Sequence, residues 1–118
     1  MNSLEMEGLK LELTEKSSKV ILMWKGKSRH MNPAMILDPY FSEILDILAN
    51  KEFTMDFSQL VTMNSSTVPP ILSFIKELEE KRINTEIKYD SSLGWHSASF
   101  IPISTITRDY KYVKVLPI

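Results

Sequence analysis

Leu9, Leu11 and Leu13 alternate with Lys10, Glu12 and Thr14. Alternation of this kind puts the three leucines on one face of an extended chain, so residues 9–15 read as a half-buried strand. A polar turn at 16–18 follows. Residues 19–25 are more apolar and read as the partner strand of an opening hairpin. Residues 26–37 show no period. Asp38 and Pro39 then read as an N-cap and a first helical proline. Phe41, Ile44, Leu45 and Leu48 recur at helical spacing, and Asn50 is the expected stop. Phe53, Met55 and Phe57 alternate with Thr54, Asp56 and Ser58 as a third strand. Ile71, Phe74, Ile75 and Leu78 form the i, i+3, i+4, i+7 stripe of a second helix. Pro69 and Pro70 set its expected start, with residues 66–68 as the cap, because a residue before proline is biased away from the α region. Thr85, Ile87 and Tyr89 mark a fourth strand. Residues 95–101 read as a short helix closed by Pro102, and residues 112–116 as a last strand.

Strands alternating with helices predict an α/β domain. The expectation is a mostly parallel four- to five-stranded sheet with an opening hairpin. The strands are less uniformly apolar than a sheet covered on both sides requires, which predicts helices mainly on one face. A chain of 118 residues, 43% apolar and 25% charged, is one soluble domain (1–118) with enough material for a core.

The net charge of −1 offers no basic stripe for a phosphate backbone, so nucleic acid is not an expected partner. The absence of cysteine excludes disulfides and thiolate zinc sites. The first eight residues carry acid where a secretion signal carries base, and no apolar run approaches the roughly 20 residues of a membrane span. A cytoplasmic location follows as the expectation, without membrane association.

The chemistry on offer is narrow. His30 and His96 have no carboxylate or second histidine at metal spacing, and the three glycines form no phosphate loop. No acid, base and nucleophile converge, so neither an enzyme nor a bound cofactor or metal is expected. Glu77, Glu79, Glu80, Lys81 and Arg82 read as a solvated helix face, or as a partner rim. Trp95 is expected to pack on the sheet, and Met31 and Met35 to fill gaps or serve an adaptable interface. What stands out is Asn64, Ser65, Ser66 and Thr67 between a strand and a helix. These are capping residues by type. A phosphoryl group there is electrostatically tolerated near a helix start, though Pro69 and Pro70 remove two N–H groups that would hold it.

The run from Met55 through Asp56, Phe57, Ser58 and Gln59 to Asn64, Ser65 and Ser66, with the helix and strand after it, resembles the signature of STAS domains. That family comprises the bacterial anti-sigma-factor antagonists. The resemblance is specific over residues 52–89 and extends by element order to the rest; the stretch around Asn64 is also similar to SiaC-type regulatory phosphoproteins. The family implies a non-enzymatic regulator in a partner-switching pathway. It binds a serine kinase of the anti-sigma type, is phosphorylated by it, and is restored by a PP2C-type phosphatase. Ser66 matches the acceptor position, with Ser65 as its neighbour and Thr67 as a further hydroxyl. Asn64, Ser65, Ser66, Thr67 and Glu77 are the implied partner contacts. Asn64 stands where the family has Asp, and Thr67 where it has Gly. A domain of the same fold that binds without phosphorylation is the alternative. Oligomeric state is left open.

Overall fold

The computed structural model describes residues 2–118. Six strands lie side by side in chain order: β1 (Leu4–Met6), β2 (Leu9–Glu15), β3 (Lys19–Ser28), β4 (Glu52–Met63), β5 (Thr85–Tyr89) and β6 (Val113–Pro117). The first two pairings are antiparallel and the last three parallel. Helices α1 (Ala34–Ile47), α2 (Val68–Glu80) and α3 (Gly94–Ile106) connect the parallel strands. Each crossover steps one strand in the same direction. With the right-handed connection that such units adopt, all three helices fall on one face.

The register shows the two faces. Leu13, Leu22, Met55, Ile87 and Val115 form one continuous inward row across β2 to β6. The adjacent outward row is Glu12, Met23, Asp56, Lys88 and Leu116. On that open face Glu12 meets Lys25 at 3.0 Å and Lys10 at 3.3 Å. These partners hold its carboxyl below the usual range. Under the helices, aromatic rings join the layers. Trp24 lies 4.7 Å from Phe57, Phe57 lies 4.8 Å from Phe100, and Phe41 stacks on Phe74 at 4.3 Å.

The strand count exceeds the expected four to five. β1 is three residues long, too short to show a period, and it is added by a turn. Glu7 and Gly8 both have positive φ, as a two-residue I′ hairpin turn demands. Gly26 also has positive φ, and a Cβ there would fall on the Gly8 carbonyl oxygen. That carbonyl accepts the Lys27 N–H at 3.1 Å.

Three helix boundaries differ from the local signals. Helix α1 begins at Ala34, so Asp38 is not its cap and Pro39 lies inside it. The N–H groups of Ile36 and Leu37 bond the Pro33 carbonyl, and burial of Leu37 and Tyr40 outweighs the proline bias. At α2 the helical path starts before the prolines. Ser65–Thr67 form a 3₁₀ turn that runs directly into Val68, and Pro69 and Pro70 fall in the first turn, where N–H groups have no helical partner. Helix α3 continues past Pro102 to Ile106. Strand β4 runs six residues beyond Phe57, because register shifts against β3 break the alternation there.

Glu79 departs from the expected solvated face. Its carboxylate accepts the backbone N–H groups of Lys111 (2.9 Å), Tyr112 (2.8 Å) and Val113 (3.2 Å), fastening α2 to the start of β6. Desolvation pushes this carboxyl up, but the three donors, with Lys114 nearby, outweigh it and hold it below the usual range. No helix of the described residues is long and apolar enough to cross a membrane.

Candidate functional site: the β4–α2 junction

Strand β4 ends at Met63, paired with Ser28 at the end of β3. The next residue, Asn64, keeps an extended backbone (φ −77°, ψ 165°), and its N–H bonds the Ser28 carbonyl at 2.9 Å. The chain then turns into the 3₁₀ segment, closed by the Thr67 N–H on the Asn64 carbonyl at 3.1 Å. The junction is therefore built from two neighbouring strand ends, not from the helix alone.

A side-chain relay fixes it. The Thr67 hydroxyl donates to Asn64 Oδ1 at 2.6 Å. Ser28 Oγ lies 2.7 Å from Thr67 Oγ1. Thr67 has one hydroxyl proton, already given to the amide oxygen, so Ser28 is the donor of this second bond. On its other side Asn64 donates from Nδ2 to the His30 carbonyl at 2.9 Å. The order is Ser28 to Thr67 to Asn64, and Asn64 to His30.

This geometry suits the two residues at which the stretch departs from the motif it resembles. Asn64 must accept on one oxygen and donate from the other end of its side chain. An ionised Asp has no donor to offer. Thr67 has φ −77° and ψ −24°, an ordinary right-handed conformation with no need for glycine.

The hydroxyls of the cluster divide sharply. Thr67 and Ser28 are buried and bonded to each other. Ser65 and Ser66 are exposed, and among the described residues neither hydroxyl is engaged. Asn64 is half-buried between the two groups. Glu77 is exposed on the same helix, about three turns along from Ser66, beside Asp38, Ser42 and Ser73 in a shallow groove between α1 and α2. The structure thus brings together Asn64 to Thr67 but sets Glu77 apart from them. Ser28 and the His30 carbonyl complete the site. Sequence reasoning missed both; the one signal was a small polar residue at a strand end.

Other candidates have structural work. His96 is buried, its Nε2 donating to the Leu60 carbonyl at 2.8 Å and its Nδ1 accepting the Asp90 N–H at 3.1 Å, which ties α3 to β4. Trp95 is half-buried with its ring edge-on to His96. Among the described residues, no three His, Asp or Glu side chains gather as a metal site requires. A cleft of about 880 Å³ lies at the opposite end of the domain. It is lined chiefly by the segments that follow α1 and α2, with Lys51, Lys81 and Arg82 on its wall. Basic residues there offset the negative ends of two helices.

No protein-family model and no curated protein matches the chain. Solved structures do. The chain is similar to the activator SiaC in the crystal structure of the diguanylate cyclase SiaD in complex with SiaC from Pseudomonas aeruginosa. The TM-score is 0.68 at 12% identity, covering 98% of this chain and 98% of that one. It is also similar to a protein of the DUF3478 family with a SpoIIAA-like fold from Shewanella loihica PV-4. There the TM-score is 0.52 at 13% identity, over 97% of this chain and 89% of that one. At such identities the likeness concerns the path of the backbone, and on that ground the chain carries a STAS-like, SpoIIAA-like fold.

Proposed function

We propose that this chain is a non-enzymatic regulatory domain that binds a protein partner through the β4–α2 junction, gated by reversible phosphorylation of Ser66 or its neighbour Ser65. One observation carries the reading. The junction is held by buried Ser28 and Thr67 and half-buried Asn64, while Ser65 and Ser66 are presented to solvent with nothing to hold. Thr67, enclosed and already bonded on both sides, is not the acceptor. Phosphorylation adds about −1.5 to −2 charges. Within a desolvated contact that charge opposes docking; on the free domain it stays in water.

The likeness to SiaC, an activator seen in complex with the enzyme it activates, supports partner binding as the output. The motif supports the finer assignment: a serine kinase of the anti-sigma type as partner and modifier, a PP2C-type phosphatase as its opponent, and a cytoplasmic bacterial setting. Asn64 and Glu77 then lie at the centre and the rim of the contact.

The test compares Ser66→Asp with Ser66→Ala for partner recovery from native cells. The proposal expects recovery with Ala and loss with Asp. The relay itself favours a second reading, because it keeps the junction rigid without any modification. A domain that docks without phosphorylation would bind equally well as Ser66→Asp, and that result would replace the gate with a fixed contact.

A further inference from the structure

We infer that the open face of the sheet carries a small-ligand site near the strand starts, and that its ligand is an acidic amino acid, with one ammonium and two carboxylates. The site lies at the other end of β4 from the junction and does not depend on the partner reading. Side chains two apart in a strand share a face. The outward row that includes Asp56 is therefore followed by Ile21, Thr54, Glu86 and Lys114 on adjacent strands, and then by Lys19 beside Glu52. Lys19, Glu52, Thr54, Glu86, Lys111 and Lys114 line a recess of about 260 Å³. That is smaller than a drug-sized pocket and suits a molecule of amino-acid size.

Two observations point to a ligand. The first is Thr54, which is only 5% exposed although it stands on the face that no helix covers. Its hydroxyl has no hydrogen-bond partner among the described residues. The other buried hydroxyls, on Ser28, Thr67, Thr85 and Thr107, are all bonded. A buried hydroxyl lining a recess gains from a ligand that bonds it. The second observation is charge. Register sets Lys19 beside Glu52 and Glu86 beside Lys114, yet among the described residues no ion pair joins either couple. Elsewhere on the same face Glu12 does bond Lys10 and Lys25. The wall is fixed in advance. Glu79 fastens the Lys111 and Tyr112 N–H groups, and the Lys114 ammonium donates to the Tyr110 carbonyl at 2.7 Å, keeping two further N–H groups to give. Three ammonium groups and two carboxylates are the complement of two carboxylates and one ammonium. The ligand's ammonium would donate to Glu52 and Glu86, and its carboxylates would accept from the lysines and Thr54. A plain dianion would instead set like charges against Glu52 and Glu86.

The test titrates the full isotope-labelled chain with L-glutamate and follows its amide resonances. Glutarate, the same dicarboxylate without the ammonium, is the comparison. Saturable shifts at Thr54, Glu86 and Lys114 are expected with L-glutamate. Glutarate should bind at least about tenfold more weakly, since the bonds to Glu52 and Glu86 are lost. Thr54→Val keeps the branched shape and should weaken L-glutamate about twofold to tenfold, for one hydrogen bond. Glu86→Gln, at an exposed position that leaves the core untouched, should weaken it about threefold to tenfold and melt as the unaltered chain does. Lys51→Gln, outside the recess, should bind as the unaltered chain does. The absence of any saturable shift up to about 10 mM L-glutamate overturns the site. Glutarate binding as tightly as L-glutamate overturns the amino-acid assignment and leaves a site for plain anions. Unchanged affinity in Glu86→Gln, or shifts spread evenly over the surface lysines, overturns the inference as well.

Discussion

Replacing Asn64 by Asp restores the residue usual in the STAS motif, yet it should destabilise this domain. The wild-type amide donates from Nδ2 to the His30 carbonyl at 2.9 Å and accepts the Thr67 hydroxyl on Oδ1 at 2.6 Å. A carboxylate keeps the second bond and strengthens it. It loses the first and places a negative oxygen against a carbonyl oxygen. Losing a donor to a part-buried acceptor costs about 1–3 kcal/mol, and the charge-assisted bond from Thr67 returns about 1. The net cost at neutral pH is up to about 2 kcal/mol, a fall in Tm of up to about 8 °C for a chain of this size.

The pH dependence gives the sharper test. When protonated, the introduced carboxyl can donate to the His30 carbonyl, so the fold favours the protonated form and raises this carboxyl above its unfolded value of about 3.9. The native state then binds more protons than the unfolded chain, and stability falls as pH rises through that window. The deficit relative to wild type should be smallest near pH 4 and complete at pH 7. Urea denaturation of both proteins across that range measures it. A higher stability at pH 7, or a deficit that grows on acidification, would refute the assigned relay.

Three further outcomes follow from the fold. Glu79→Gln should cost about 1.5–3 kcal/mol at neutral pH, because a charged acceptor of three backbone N–H groups is lost. Since the folded carboxyl lies below its usual range, that difference should be present above about pH 4.5 and shrink as pH falls through the folded value, as paired denaturation curves would report. Gly26→Ala should destabilise by more than about 2 kcal/mol or prevent folding, since φ is +86° and the new Cβ meets the Gly8 carbonyl; thermal melting checks it. Arg82→Gly should stabilise by about 0.5 kcal/mol: Arg82 has φ +58° at the end of α2, where Ile83 N–H bonds the Leu78 carbonyl, and a raised urea midpoint is the expected result.

Much of the fold was legible where a local period carries it. The leucines of β2, the Phe53–Met55–Phe57 run and the α2 stripe each lie on the predicted face, and their succession gave a mostly parallel sheet with its helices on one side. Legibility failed where distant contacts decide. Pro39 signals a helix start, but the burial of Leu37 and Tyr40 extends α1 back across it. The second half of β4 is hidden by register shifts against β3, and β1 exists because a turn at Glu7 and Gly8 returns it to β2. At the junction the cluster from Asn64 to Thr67 was visible as a string of hydroxyls. Which of them face solvent was not, because the division is made by Ser28 and the His30 carbonyl, more than 30 residues earlier. Glu79 looked solvated for the same reason: its partners lie more than 30 residues later.

The central claim is that this junction is a modified surface, and fragment mass spectrometry reads it directly. The protein would be isolated from its native cells with phosphatase inhibitors, across growth and stress conditions. The account predicts a phosphate on Ser66, or on Ser65 beside it, and none on buried Thr67. A junction free of phosphate under every condition, or one carrying it on Thr67, would contradict the account.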